Sequence, residues 1–144
     1  MKRIQQQTLD QERALYGMKD IEVVDCAFDG PADGESALKE GAGIKVERCY
    51  FNLRYPFWHD HGLVIRDSRM TELCRAALWY SDHIEIIHTA LHGIKALREC
   101  SEVTMRDCDK MCIRDSFITG RLRSSFRLSN TCPCRGMPEL AKAS

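Results

Sequence analysis

The sequence predicts an all-β fold, a right-handed, single-stranded parallel β-helix of about five rungs. A register of apolar positions recurs every 19 to 23 residues between Leu15 and Cys108. Within each repeat, apolar residues alternate with polar ones, which is the period of a half-buried strand. A repeat this short cannot bury its apolar face alone, so the copies must stack on one another. Parallel crossovers are right-handed in nearly all proteins, which gives the predicted hand.

Each repeat has five recurring positions. The first is bulky and apolar: Leu15, Leu38, Phe57, Leu78 and Leu97. A strand follows with two inward positions: Ile21/Val23, Ile44/Val46, Leu63/Ile65, Ile84/Ile86 and Val103/Met105. A small residue comes next: Cys26, Cys49, Ser68, Thr89 and Cys108. The last position is bulky again, except for Lys110 in the fifth repeat: Phe28, Phe51, Met70 and Leu91.

A leucine-rich repeat has a similar length and is the main alternative. Its regular ladder of Leu and Asn is absent, and no segment of the repeat has the pattern of a helix. The register also explains three of the eight cysteines, because a small apolar side chain fits the bend at the fourth position. We expect all eight cysteines to be free thiols.

The charge balance and the amino-terminal segment do not indicate a particular partner or a targeting signal. Lys plus Arg and Asp plus Glu both number 21, so no net field favours nucleic acid or an anionic membrane. The amino-terminal segment has no apolar run that would predict a signal peptide or a membrane span. We therefore expect a cytoplasmic protein without a cofactor, a nucleic-acid partner or a membrane partner.

Both ends of the chain differ from the repeat. We interpret residues 1–14 as an amino-terminal cap, with Asp10 as the N-cap of a helical turn, and residues 15–109 as the rungs. Residues 110–144 lack the register and read as a disordered tail. Residues 111–116 (MCIRDS) also resemble a hexapeptide that recurs when sequencing-adapter read-through is translated, which indicates a chimeric artefact and a truncated β-helix.

Four segments carry a resemblance to a known family: residues 28–40, 49–59, 74–81 and 91–100. Together they resemble an uncharacterised, mostly bacterial domain-of-unknown-function family with a pectin-lyase-like right-handed β-helix. The resemblance covers about residues 9–109 and departs after that. It implies the fold, and it brings no activity and no catalytic residue.

An aromatic and cationic column follows the first position of each repeat: Tyr16, Lys39, Trp58, Trp79 and Arg98. Trp58 and Trp79 should lie on adjacent rungs, where they could form a platform for a sugar ring. They could equally form a ladder stabilised by its own stacking and by cation–π contacts of roughly 0.5 to 1 kcal/mol each.

Two polar columns flank the variable bends. One contains Glu35, Arg54 and Arg75, with Lys95 displaced by one place, and the other contains Asp29, Asn52, Thr71 and His92. We select Asp29, Asp33, Glu35, Arg54, Arg75 and Lys95 as candidate catalytic residues, since a carboxylate pair, or a base beside a cation, serves polysaccharide cleavage. Trp58, Trp79, His59, His92 and Arg98 are the candidate substrate-binding residues. The structural alternative is a surface ion-pair ladder, Glu35 with Arg54 and Glu72 with Arg75, worth about 0 to 1 kcal/mol a pair.

Metal and phosphate chemistry find little support in the sequence. The five histidines lack the spacing of a metal triad, although His59 and His61 can share a strand face. No Gly-rich phosphate loop and no nucleophile elbow are present. Two hypotheses remain: a β-helix that binds or modifies carbohydrate, at best lyase-like or glycoside hydrolase-like, and a non-catalytic interaction scaffold. We also expect self-association through the exposed carboxyl-terminal rung.

Overall fold

Twelve β-strands form the chain in the computed structural model, which describes residues 2–32, 34–93, 96–110 and 117–128. The strands are β1 (Lys2–Gln5), β2 (Thr8–Leu9), β3 (Lys19–Val24), β4 (Ala27–Phe28), β5 (Ala42–Glu47), β6 (Tyr50–Phe51), β7 (His61–Arg66), β8 (Arg69–Met70), β9 (Asp82–Ile87), β10 (Ala90–Leu91), β11 (Arg98–Lys110) and β12 (Phe117–Leu128). All pairings are parallel. The described residues include no helix, and they form a parallel β-solenoid of about five turns, which confirms the predicted fold class.

Long and short strands alternate along the chain and build two walls of the solenoid. The long strands stack in the order β1-β3-β5-β7-β9-β11, and the short strands in the order β2-β4-β6-β8-β10-β11. Ile44 pairs with Ile21 on one side and with Leu63 on the other. The inward positions therefore stack from rung to rung as the repeat predicted.

The third wall contains the bulky first position of each repeat. Backbone N–H groups donate here to carbonyls of the next rung, as from Leu38 to Pro56 at 2.8 Å and from Phe57 to Ala77 at 2.7 Å. Leu38, Phe57, Leu78 and Leu97 are at most 1% exposed. This wall closes the core opposite the other two.

Aromatic stacking and small inward residues fill the core. The rings of Phe28 and Phe51 lie 4.7 Å apart with 3° between their planes, and Phe57 packs against Phe51 at 5.0 Å. The described cysteines are all buried free thiols, as expected: Cys26, Cys49, Cys74, Cys100 and Cys108. Burial raises the pKa of Cys49, Cys74 and Cys100 to about 12, so these thiols are packing residues and weak nucleophiles.

The amino-terminal segment is not the predicted helical cap. β1 and β2 form an additional rung, in which Ile4 pairs with Val23 and Leu9 pairs with Phe28. Ile4 is buried, so the apolar register begins before Leu15 and favours a strand. Asp10 accepts a hydrogen bond from the Ala32 N–H at 3.0 Å instead of capping a helix.

At the other end, β12 pairs in parallel with β11. The division of the chain at residues 109 and 110 stays a prediction, as do the right-handed sense and the pectin-lyase-like type. Cys112, Cys132 and Cys134 lie outside the described residues. Within the described part of the chain, no helix is long and apolar enough to cross a membrane.

Candidate functional site

An aromatic surface covers the third wall, and we define the aromatic face as Tyr55, Trp58, Trp79 and Tyr80. The column that predicted it is present: the Glu40 N–H donates to the Trp58 carbonyl and the His59 N–H to the Trp79 carbonyl, both at 2.9 Å. These bonds place Trp58 and Trp79 on adjacent rungs.

The rings of the aromatic face contact one another. Trp58 and Trp79 stack at 5.4 Å with 19° between their planes, and Tyr80 stacks on Trp79 at 5.4 Å and 15°. Tyr55 meets Trp58 edge-on at 5.3 Å. The two tryptophans are half-buried, whereas Tyr80 is 48% exposed. The Lys39 ammonium lies 5.2 Å from the centre of the Trp58 ring, in the geometry of a cation–π contact.

The column of Glu35, Arg54 and Arg75 borders the aromatic face. The Ser36 N–H donates to the Arg54 carbonyl at 3.0 Å and the Tyr55 N–H to the Arg75 carbonyl at 3.2 Å, which sets these residues on successive rungs. The Arg54 guanidinium lies 3.7 Å from the Glu35 carboxylate. Arg75 is exposed, and within the described residues it forms no ion pair with Glu72, so this predicted pair is wrong.

Asp29 belongs to a separate hydrogen-bonded ladder. The Asn52 side-chain amide donates to Asp29 at 2.9 Å, and the Thr71 hydroxyl donates to the Asn52 amide oxygen. His92 continues this column and is half-buried. The ladder lies at the end of the short strands, and its Asn52 is two residues before Arg54 in the sequence. Asp33 and Lys95 lie outside the described residues.

His59 and Arg98 flank the aromatic face at its turn into the long strands. The His59 ring bonds to the Glu40 carboxylate through Nδ1 at 2.9 Å, and Arg98 is exposed. Nearby, Asp82 accepts from Nδ1 of His61 at 2.6 Å and of His83 at 2.8 Å. Although burial alone would raise the pKa of Asp82, the hydrogen bonds from His83 and His61 hold it below its usual value.

The histidines and carboxylates do not assemble into a metal centre. Among the described residues, no group of three or more His, Cys, Asp or Glu side chains could hold an ion. His59, His61 and His83 instead each use Nδ1 to bond to a neighbouring carboxylate. They form a polar border beside the aromatic face.

Asp60 is a buried carboxyl group that the sequence reasoning missed. It lies at the corner between the aromatic face and the long strands and is 0% exposed. Its Oδ1 accepts from the Gly41 N–H at 2.6 Å, whereas its Oδ2 has no partner among the described residues. Burial raises the pKa of Asp60 to about 8, with a smaller contribution from the charge of Glu40. Nothing in the segment His59-Asp60-His61 distinguishes an inward aspartate from an outward one.

A family described as "Protein of unknown function (DUF3737)" matches residues 2–122. The match therefore begins before the expected start of the resemblance and extends beyond residue 109. No curated protein and no solved structure matches the chain.

Proposed function

We propose that this chain, which belongs to the DUF3737 family of proteins of unknown function, binds carbohydrate through the aromatic face. The observation that carries the proposal is the contact of four aromatic rings on two adjacent rungs, with Tyr80 48% exposed at their edge. Binding sites for small molecules combine an apolar or aromatic lining with a few well-placed polar groups. The apolar face of a sugar ring suits such a lining.

Polar groups border the aromatic face where sugar hydroxyls would lie. Glu35 and Arg54 are 3.7 Å apart, and Arg54 directly precedes Tyr55 of the aromatic face. His59 and Glu40 provide a second acid–base pair at 2.9 Å. Carboxylates accept hydrogen bonds, and guanidinium or imidazole groups donate them. The O–H donor and the oxygen acceptor of a sugar hydroxyl group can therefore both find a partner.

Binding has more support than cleavage. Among the described candidate catalytic residues, Glu35 and Arg54 form a salt bridge, and Asp29 is hydrogen-bonded to Asn52. Lyase-like or hydrolase-like chemistry would need a second acid or base at the same place. Asp33 and Lys95, which lie outside the described residues, are the candidates for that role. The proposal includes a cytoplasmic address, which the buried free thiols favour.

A non-catalytic scaffold is the second candidate, and a specific observation favours it. Trp58 and Trp79 use ring faces on each other, and Lys39 covers Trp58. Such contacts hold parallel rungs in register without any ligand. The two candidate functions differ in whether a sugar binds the protein and shifts its melting temperature.

A glycan array with the full chain, followed by calorimetric titration of each hit, tests the proposal. Trp79→Ala and Tyr80→Asn should each weaken sugar binding tenfold or more. Asn is chosen at Tyr80 because the backbone there has φ of +64° and Asn tolerates this conformation. Tyr16→Ala is the matched control, since Tyr16 is equally exposed but packs against Arg13 instead of the aromatic face.

The scaffold predicts a different result for the same variants. Trp79→Ala would then lower the melting temperature, and no glycan would bind the wild-type protein or shift its melting temperature. If Trp79→Ala and Tyr80→Asn both leave the affinity and the stoichiometry of sugar binding unchanged, the proposal is also contradicted, because the aromatic face would not contribute a site.

A further inference from the structure

A long groove runs along the corner where each rung passes from its long strand to its short strand. Its lining comes from six successive rungs, from Gln6 to Cys108, and its volume is about 1140 Å³. Five steps of strand spacing give it a length of about 24 Å. Pockets for compact ligands occupy about 300–1,000 Å³, so the size and shape of the groove suit an extended ligand along the solenoid axis.

A single residue in the left-handed conformation makes each corner. The φ values are +52° at Asp25, +52° at Arg48, +49° at Asp67 and +48° at His88. Because the same conformation recurs on every rung, these side chains form a column along one edge of the groove. The short strands, with Tyr50 and Arg69, form the opposite edge.

Side chains of this column bond to one another from rung to rung. Arg48 bonds to both carboxylate oxygens of Asp25, at 2.8 and 3.3 Å, and His88 Nδ1 bonds to Asp67 at 2.8 Å. In total, the lining contains two arginines, three aspartates and one histidine. With the imidazole neutral, this set has a net charge of −1. An anionic ligand would be repelled, and an ionic ligand of either sign would have to compete with the existing pairs.

The thiol and hydroxyl groups on the groove floor already contact backbone carbonyl oxygens. The Cys26 and Cys49 thiols lie 3.3 to 3.6 Å from backbone carbonyl oxygens, and the Ser68 hydroxyl donates to the Arg66 carbonyl at 2.8 Å. Recognition therefore depends on the edges. There, Arg69 is exposed and has no side-chain partner within the described part of the chain, and the half-buried Tyr50 ring has no described aromatic neighbour.

We propose that this groove binds a neutral, linear oligosaccharide along the solenoid axis, at a site separate from the aromatic face. Hydroxyl groups both donate and accept, so they can bond to unused carboxylate lone pairs and unused guanidinium N–H groups without breaking the ion pairs. Tyr50 provides an apolar ring surface and Arg69 provides free donors. The lining positions recur once per rung, and a linear polymer likewise presents one residue per repeat along its length.

Calorimetric titration of the full chain with neutral hexasaccharides tests this inference, using cellohexaose, xylohexaose and maltohexaose, with hexagalacturonate as the acidic counterpart. We expect at least one neutral hexasaccharide to bind and hexagalacturonate to bind no more tightly. Arg69→Ala and Tyr50→Ala should each weaken binding tenfold or more. Arg66→Ala is the matched control, because Arg66 is an exposed arginine three residues away that does not line the groove.

Amide hydrogen exchange gives a second readout that does not depend on any variant. Bound hexasaccharide should slow exchange in β4, β6 and β8. Failure of all neutral hexasaccharides to bind at millimolar concentration would overturn the inference, as would binding that both groove variants leave intact. If Trp79→Ala abolishes sugar binding while Arg69→Ala does not, the groove inference fails and the aromatic face is supported as the binding site. If Arg69→Ala abolishes binding while Trp79→Ala does not, the groove is supported and the aromatic face is not.

Discussion

Replacing the buried carboxyl group of Asp60 should change how stability depends on pH. Asp60 is 0% exposed, and burial raises its pKa from 3.8 to about 8. The folded protein therefore holds a proton at Asp60 that the unfolded chain releases above pH 4. In this window, stability falls as the pH rises. Asp60→Asn replaces the neutral acid with a neutral group of the same shape.

The magnitude follows from the pKa difference. Each pH unit between the unfolded and folded pKa values changes the free energy of unfolding by about 1.4 kcal/mol. From pH 5 to pH 8, the wild-type protein should thus lose up to about 4 kcal/mol relative to Asp60→Asn. Groups common to both proteins cancel in this comparison. Because the unfolded wild-type chain is already ionised at pH 5, the variant should be modestly more stable than the wild type there and clearly more stable at pH 8.

Urea unfolding of both proteins at pH 5 and pH 8 measures the effect. Asp20→Asn is the control for the loss of one carboxylate, because Asp20 is exposed on the surface. Equal differences between Asp60→Asn and the wild type at the two pH values would refute the reasoning. Asp60 would then have the same protonation state across the window, and the unpartnered Oδ2 would need another explanation.

Two further predictions concern the core. Phe51→Ala should lower the free energy of unfolding by about 3–5 kcal/mol, since Phe51 is 0% exposed and contacts both Phe28 and Phe57; Leu73→Ala, at a 43% exposed position, should change it little in the same denaturation assay. Cys49 should react with a thiol reagent in the native protein only as fast as the chain unfolds, because burial raises its pKa to about 12. Peptide mapping by mass spectrometry would show this, and rapid native labelling of Cys49 would contradict the assignment.

The repeat made the fold predictable from the sequence. Ile44 and Leu63 are separated in the sequence by the length of one repeat, and stacking of the rungs places them side by side. The same register predicted the contact of Trp58 with Trp79. The rung formed by β1 was harder to recognise, because its apolar positions, Ile4 and Leu9, have no complete repeat before them.

The parts of the site that the sequence did not reveal depend on the turns. Tyr80 joins the aromatic face from a turn position with φ of +64°, and no alternation rule describes such a residue. Asp60 points inward at a corner where the flanking repeats have Gly41 and Ser81. The groove exists because two walls meet at an angle, and periodicity along one chain carries no information about that angle.

The equivalence of successive rungs has a consequence for how such chains change length. His61 pairs with Ala42, so removing residues 42–60 would join two equivalent points and leave every later side chain on its original wall. Losing a single residue within β5 would turn the inward positions after it outward. Insertions and deletions of whole rungs should therefore be tolerated far better than those of one or two residues. Both evolution and protein engineering can change the length of the solenoid in units of one rung.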